Sequence, residues 1–148
     1  MIIYVDGACS GNGSTNAVGG FGVVVLDDNE NLITTYSKYN EQTTNNREEI
    51  RAILYTLINY GKTQPTPIVY SDSAYAVNTF TAWMWGWKQN GWIKSNKKRP
   101  ENLDLIKAYA DLWEQGYRID LRKCAGHQGL KWNEMADKLA VAAKERKG

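Results

Sequence analysis

Residues 2–7 read Ile-Ile-Tyr-Val-Asp-Gly, an apolar and largely β-branched run that stops at a carboxylate and a glycine. Such a run is typical of a buried strand. Phe21 to Leu26 is a second apolar run, and Asn31 to Tyr39 follows it after a turn-forming sequence at 27–29. The three segments predict an antiparallel meander whose first strand ends at Asp6.

The rest of the chain alternates helical and strand-like patterns. Capping residues at 43–46 precede an apolar stripe at helical spacing, which is followed by Gly61 and consists of Ile50, Ile53, Leu54, Leu57 and Ile58. The later segments are a strand at Ile68 to Ser71, a helical stretch from Asp72 into the tryptophans, a helix at Pro100 to Trp113, a strand at Arg118 to Cys124 and a helix at Lys131 to Lys144. The order βββ-α-β-α-α-α-β-α predicts an α/β fold with helices packed on a mixed sheet.

The composition fits one globular domain over residues 1–148, with 43% hydrophobic and 23% charged residues. The apolar runs are too short to cross a bilayer, and the N-terminus has neither a basic region nor a small-residue cleavage site. Two cysteines, Cys9 and Cys124, do not make a disulfide framework. We therefore expect a cytoplasmic monomer with reduced thiols and no membrane partner.

Two acids are predicted to meet at one edge of the sheet. Asp6 ends the first strand and Asp72 ends the fourth, so their carboxylates emerge together if these strands are parallel neighbours. Clustered carboxylates repel each other, and a hard cation such as Mg²⁺, which prefers oxygen ligands, removes that repulsion. The alternative is that each acid is a helix cap, a turn residue or a surface charge.

Helix geometry separates Glu48 from Glu49, the two acids in the first turn of the long helix. At about 100° per residue, Glu49 lies about 110° from the centre of the apolar stripe and Glu48 about 150°. Glu49 is then on the flank of the buried face, whereas Glu48 points more nearly to solvent. The geometry favours Glu49 as a metal ligand and Glu48 as a bystander.

His127 is the only histidine, in a glycine-flanked loop between a strand and a helix. Its side chain suits proton transfer near neutral pH, although an incidental loop histidine is the alternative. Phosphate-loop, HExxH and CxxC motifs are absent, which excludes several classes of nucleotide and zinc enzyme. The glycine-rich stretch at 19–22 leads into a strand rather than a helix, which argues against dinucleotide binding.

A basic segment interrupts the otherwise mixed charges of the chain, whose net charge is only +2. Its cations are Lys88, Lys94, Lys97, Lys98 and Arg99, with no acid among them. Such a patch indicates a polyanionic partner, and a solubilising surface is the alternative.

Together these segments resemble type 1 ribonuclease H over essentially the whole chain. The resemblance is carried by residues 4–9 (Tyr-Val-Asp-Gly-Ala-Cys), 43–49 (Thr-Thr-Asn-Asn-Arg-Glu-Glu), 70–73 (Tyr-Ser-Asp-Ser) and 126–127 (Gly-His), with Asp137 ten residues further on. It implies the ribonuclease H-like fold: a five-stranded mixed sheet flanked by helices, with a basic handle protrusion at Trp83 to Arg99.

The resemblance also implies an endonuclease that cuts the RNA strand of RNA–DNA hybrids with two Mg²⁺ ions, for which Mn²⁺ can substitute. Asp6 would bridge both ions, Glu49 and Asp72 would complete one side, and Asp137 the other. His127 would assist proton transfer and product release, with Glu134 a weaker candidate. The products would carry 5′-phosphate and 3′-hydroxyl ends.

For the hybrid, the resemblance implies minor-groove contacts from backbone and amide groups, which distinguish RNA by its 2′-hydroxyl. The implied substrate-binding residues are Gly7, Cys9, Asn12, Thr44 (on a DNA phosphate), Asn45, Asn46, Trp83, Lys88, Lys94, Lys97 and Lys98. Trp83 and Trp87 suit a packed core, contacts to the DNA strand, or both, and packing is favoured.

Some segments depart from the family pattern. Ala74 stands where many relatives carry a base-contacting glutamine, the Gly11 to Gly19 loop is longer than usual, and residues 128–130 differ in the histidine loop. Two other functions stay open: a non-catalytic hybrid-binding module, and a DNA-cutting nuclease of the same fold. The four carboxylates argue against the first, and the Thr-Thr-Asn-Asn segment argues against the second.

Overall fold

Five strands form one mixed sheet in the computed structural model, which describes residues 1–12, 14–124 and 131–146. The strands are β1 (Ile2–Ser10), β2 (Val18–Leu26), β3 (Leu32–Glu41), β4 (Ile68–Ser71) and β5 (Asp120–Lys123). β1 to β3 form the predicted antiparallel meander, and β4 and β5 extend it in parallel beyond β1, so the strand order is β3-β2-β1-β4-β5. The predicted α/β class and mixed sheet are confirmed.

The helices follow the predicted order. They are α1 (Asn45–Tyr60), α2 (Ala74–Asn78), α3 (Met84–Gln89), α4 (Leu103–Glu114) and α5 (Lys131–Glu145), with a π-helical turn at Thr79–Trp83 that joins α2 to α3. None of the helices in the described part of the chain is both long and apolar enough to cross a membrane.

β1 and β2 extend beyond their predicted ends, to Ser10 and from Val18, and two other predicted boundaries were wrong for local reasons. α4 begins at Leu103 rather than Pro100, because Asn102 has a left-handed backbone with φ of 60°. β5 begins at Asp120 rather than Arg118, because the N–H of Arg118 donates to Gly61 O at 2.8 Å in the loop after α1. Both elements nevertheless lie in the predicted part of the chain.

Side chains that alternate along β1 and β2 supply two cores, one on each face of the sheet. On one face, Ile3, Val5 and Val23 pack with the buried side of α1. On the other face, Tyr4, Val24, Leu26 and Ala136 of α5 form a smaller cluster. Four residues of the predicted α1 stripe are buried, but Ile58 is 52% exposed because it lies on the flank of the stripe in the last turn.

Candidate active site

Asp6 and Asp72 lie side by side because β1 and β4 are parallel neighbours. Val5 is in register with Ser71, so the next residues on the two strands are the two aspartates. The predicted meeting of these acids at one sheet edge is therefore confirmed. Asp6 does not end its strand, however, because β1 stays paired with β2 as far as Ser10, beyond the end of β4.

Glu49 reaches this edge from the first turn of α1. The N-cap Thr44 accepts the N–H of Arg47 through its hydroxyl at 3.0 Å, which fixes where the helix begins. The N–H of Gly7 donates to Glu49 Oε1 at 2.7 Å and to Asp6 Oδ1 at 2.9 Å. One backbone N–H thus holds two carboxylates at a fixed separation.

Asp6, Glu49 and Asp72 each offer a carboxylate oxygen, and these three oxygens lie within 4.8 Å of one another. Asp6 and Glu49 are buried, and Asp72 is half-buried. Among the ion pairs of residues 1–12, 14–124 and 131–146, none includes any of the three. Within this part of the chain, no protein cation pairs with the three acids to neutralise them.

Burial and mutual repulsion shift the protonation of this cluster. Burial raises the pKa of Asp6 far above its ordinary value, and the neighbouring Glu49, Asp72 and Asp137 raise it further. Burial raises the pKa of Glu49 to about 7, and the Asp72 charge adds to that rise. An all-oxygen donor set that resists ionisation by itself fits a hard divalent cation, which would hold the carboxylates in their charged form.

Asp137 lies near this group, on the exposed side of α5. Its side chain is close enough to Asp6 to raise the pKa of that residue, although it is outside the set of three whose oxygens lie within 4.8 Å. α5 approaches the sheet closely because small residues face each other: a Cβ on Gly22 would lie 2.5 Å from Ala136 O. This glycine in β2, opposite alanines of α5, is the sequence signal for the close approach that brings Asp137 near the site.

Glu48 is not the solvent-facing bystander that the helix angle predicted. Its side chain is 0% exposed and forms a salt bridge with Arg51 at 2.6 Å. It faces the end of β3, where Thr43 and Asn40 donate to it, and it is not part of the carboxylate cluster. The angle describes the position of Glu48 around α1 correctly. The segment that follows β3, however, covers this side of the first turn and buries the side chain.

The residues expected to contact the minor groove lie on the second half of β1, just after it, and at the start of α1. The thiol of Cys9 lies 3.6 Å from Thr43 O, and Asn12 Oδ1 accepts the N–H of Asn45 at 3.1 Å. Asn12, Asn45 and Asn46 are exposed. Gly7 is also required by space, since a Cβ there would lie 2.6 Å from the backbone N of Glu49.

A cavity of about 280 Å³ lies at the start of the basic segment. Its lining consists of Asn46, Tyr75, Trp83, Trp87, Lys94 and Glu101. Trp83 packs its ring against Tyr75 and Trp87, as expected, with ring centroids 6.4 Å and 6.0 Å apart, but 42% of its surface is exposed; Trp87 is half-buried. Tyr75 and Glu101 also line this cavity, and they were not predicted from the sequence because neither belongs to a motif.

The predicted lysines differ in their surroundings. Lys88 forms an ion pair with Glu114 of α4 and lies over the Trp85 ring, with Nζ 5.8 Å from the ring centroid. Lys97 and Lys98 are exposed, at the far turn of the basic segment. His127 and the altered residues 128–130 lie outside the described residues, while Ala74 is exposed at the start of α2.

Comparison with known proteins agrees with this arrangement. The RNase H family model matches residues 1–145. Ribonuclease H of Actinobacillus succinogenes is 41% identical over 143 residues, which cover 97% of this chain and 88% of that protein.

Two solved structures share the fold. LC9-RNase H1, a type 1 RNase H with the type 2 active-site motif, has a TM-score of 0.78 at 28% identity, over 97% of this chain and 71% of its own. The foamy viral protease-reverse transcriptase, in complex with RNA/DNA hybrid, has a TM-score of 0.84 at 20% identity over 97% of this chain, which spans only 20% of it and so shows the fold alone. The predicted ribonuclease H-like fold is confirmed, and the chain belongs to the RNase H family.

Proposed function

We propose that this chain is an endoribonuclease that hydrolyses the RNA strand of RNA–DNA hybrids. Its family makes it a nuclease, and its relatives are named ribonuclease H. The foamy viral structure of the same fold is a complex with an RNA/DNA hybrid. The observation that carries the proposal is the cluster of Asp6, Glu49 and Asp72 at the sheet edge, beside a surface of amides and hydroxyls.

The carboxylates would hold two Mg²⁺ ions, and Mn²⁺ accepts the same oxygen ligands. Asp6 would contribute to both positions, Glu49 and Asp72 to one, and Asp137 to the other. When bound, the ions would supply the positive charge that activates water and stabilises the leaving oxygen in displacement at phosphorus. Breaking the bond to the 3′ oxygen leaves 5′-phosphate and 3′-hydroxyl ends.

The protein's own groups would arrange the reactants. The N–H of Gly7 keeps Asp6 and Glu49 in place, and the hydroxyl of Ser71 lies 3.5 Å from Glu49 Oε2 on its other side. Fixed carboxylates lower the reorganisation that the reaction requires. His127 would carry a proton during cleavage or product release, since its ordinary pKa is near neutrality.

Hybrid recognition would use the neighbouring surface. Amide groups of Asn45 and Asn46 both donate and accept, as contacts to a 2′-hydroxyl and to base edges require. Thr44 accepts the Arg47 N–H through its oxygen, which leaves its hydroxyl proton for a DNA phosphate. Trp83, exposed in the 280 Å³ cavity, offers a flat face for the DNA strand.

A cleavage assay on three labelled substrates tests this function. The protein is incubated with an RNA–DNA hybrid, duplex DNA or duplex RNA, in Mg²⁺ or in chelator. We expect cuts only in the RNA strand of the hybrid and only with Mg²⁺, leaving 5′-phosphate ends. Cleavage of duplex DNA would indicate a DNA nuclease instead, and hybrid binding without cleavage would indicate a binding module.

The variant Asp6→Asn refines the test. It should abolish cleavage, because the central carboxylate is lost, while the circular dichroism spectrum and hybrid affinity persist. Asp111→Asn, which changes the same residue type on the exposed side of α4, should cleave as the unaltered protein does. Equal activity in Asp6→Asn would contradict the assignment of the site.

A further inference from the structure

Glu48 is a fully buried carboxylate outside the cluster that the proposed mechanism uses. Both of its oxygens have donors: Asn40 Nδ2 lies 2.8 Å from Oε1, and Thr43 Oγ1 and Arg51 Nη1 lie 2.5 Å and 2.6 Å from Oε2. Burying a carboxylate is costly, and complete pairing offsets that cost only when the partners are held in place. The Glu48 carboxylate therefore stays buried only while Asn40, Thr43 and Arg51 are held at these positions.

The partners of Glu48 come from three successive parts of the chain. Asn40 is near the end of β3, Thr43 is in the connection to α1, and Arg51 is in the second turn of α1. The carboxylate therefore ties the end of the strand, the connection and the helix together. No other side chain in the described residues forms hydrogen bonds with both Asn40 and Thr43.

The stem of Glu48 also packs against the strands that carry the site. A Cβ on Gly19 would lie 3.0 Å from its Cγ, and a Cβ on Gly7 would lie 2.9 Å from its Cβ. Both β1 and β2 therefore have a glycine at the position where the Glu48 side chain packs against the strand. Thr43, in the connection to α1, contacts both this side chain and the end of β1, where the Cys9 thiol lies 3.6 Å from Thr43 O.

The segment that Glu48 holds leads directly into the hybrid-binding surface. Thr44 caps α1, and the N–H of Asn45 is bonded to Asn12. Glu49, by contrast, is held separately by the N–H of Gly7 and the hydroxyl of Ser71. A change at Glu48 should therefore reach the substrate contacts before it reaches the carboxylate cluster.

We propose that Glu48 is a positioning residue that holds the 40–46 segment in the shape that binds the hybrid, acting through Asn40, Thr43 and Arg51. The inference rests on the proposed function, because the hybrid is the ligand that the segment would bind. It assigns Glu48 to substrate affinity and not to the chemical step.

The first test uses Glu48→Gln, which keeps the shape but removes the negative charge to which Thr43 and Arg51 donate and replaces one of the two acceptor oxygens with an amide donor. We expect the KM for the hybrid, and its Kd measured in chelator, to rise about tenfold, the effect of removing one well-placed charged hydrogen bond. The kcat should stay within about twofold, as when an interaction of equal strength in the ground and transition states is removed.

A matched control separates positioning from stability. Thr56→Val removes another buried hydrogen bond of α1, from the hydroxyl to Ile53 O at 2.6 Å, far along the helix from the segment. It should lower the melting temperature as Glu48→Gln does but leave KM and Kd unchanged. If the two variants are destabilised equally and neither changes the Kd, Glu48 has only a structural role and the proposal is wrong.

A double-mutant cycle provides the second test and is available if Glu48→Gln folds poorly. Thr43→Val removes one donor to the carboxylate at nearly constant shape, and it should raise the Kd by itself. Combined with Glu48→Gln, the two effects should be less than additive because they break the same hydrogen bond. Additive effects, or a fall in kcat at constant KM, would overturn the proposal. Since the Kd is measured in chelator, these outcomes stay readable even if the hybrid is never cleaved.

Discussion

Asp6 and Glu49 compete for protons in a buried space that holds no protein cation within the described residues. In the folded chain without metal, each is easier to protonate than in the unfolded chain, where water surrounds both carboxylates. The cluster therefore opposes folding at a pH where carboxylates are normally ionised. The repulsion and burial that oppose folding also favour binding of a divalent cation, which stabilises the charged carboxylates.

The pH dependence of stability follows from this sign. Between the ordinary pKa of Glu49, 4.5, and its raised value of about 7, the folded chain keeps a proton that the unfolded chain has released. The free energy of unfolding of the metal-free protein should therefore fall as the pH rises through this window, with Asp6 acting in the same direction. Denaturant unfolding in chelator measures it.

Glu49→Gln supplies the control for this dependence. The amide does not titrate, so the fall between about pH 5 and about pH 7 should be shallower than in the unaltered protein. A free energy of unfolding that is constant, or that rises, across the window in the unaltered protein would show that burial does not raise the pKa of these carboxylates in the folded state.

The sequence predicted some side chains of the site better than others. The meeting of Asp6 and Asp72 was predictable because the parallel pairing of their strands follows from hydrophobic pattern and connection rules, although the end of β1 was not. Glu49 was separated from Glu48 by helix angle, yet the same angle placed Glu48 in solvent. The burial of a helix residue depends on which other segments cover the helix. Asn40 and Thr43 cover Glu48, and the sequence pattern of the helix does not predict where their segment lies.

Among the elements, α5 has the most demanding contact with the sheet. Gly22 of β2 lies under it, and a Cβ there would be 2.5 Å from Ala136 O and 2.6 Å from the Cβ of Leu139. Neither neighbour is the end of a flexible side chain, so the helix itself would have to move. Asp137 would then move away from Asp6.

Gly22→Ala should therefore lower both stability and cleavage. We expect a decrease of about 1–3 kcal/mol in the free energy of unfolding, as for other overpacked sites, and a reduced rate. Gly86→Ala is the matched control, because nothing lies within 4 Å of its added Cβ and alanine favours a helix. It should be neutral or stabilising. If Gly22→Ala behaves like Gly86→Ala, α5 is not held by this contact.

The basic segment is the other element with a function of its own to test. Lys97 and Lys98 are exposed, and cations that contact phosphates release counterions. Replacing both with glutamine should weaken hybrid binding and reduce the slope of log K against log salt by about 0.9 for each phosphate that is no longer neutralised. Lys38→Gln, an exposed lysine on β3, should leave the slope unchanged. An unchanged slope in the double variant would exclude a phosphate contact by this segment.

The order of the elements and the α/β class were predictable because both follow from local sequence patterns. How closely two elements pack depends on the side chains of both elements, which neither pattern shows by itself. The α4 boundary shifted because of one left-handed residue, Asn102, and the exposure of Trp83 depends on the cavity that Tyr75 and Glu101 complete. The place of Asp137 came from family resemblance, since its position depends on how closely α5 packs on Gly22. The distance between a packed helix and a sheet cannot be predicted from the periodicity of either segment alone.

Over the whole molecule, the carboxylate cluster connects elements that are distant in sequence. Asp6 is on β1, Glu49 on α1 and Asp72 directly after β4, while Asp137 on α5 lies beside Asp6. A cation bound among them would join the sheet to the helices on both of its faces. Because the unfolded chain does not hold these acids together, binding of the cation stabilises the folded state as a whole.

Mg²⁺ should therefore raise the melting temperature of the unaltered protein. At a concentration of about 100 times its Kd, binding at one site adds about 2.7 kcal/mol, a shift on the order of 5–10 °C for a chain of this size. Asp6→Asn should lose most of this shift while melting higher than the unaltered protein in chelator, because the repulsion is relieved. Asp111→Asn should keep the full shift, and calorimetry or fluorescence measures all three. Equal shifts in all three proteins would mean that Mg²⁺ acts elsewhere, and the cluster would then not be the metal site.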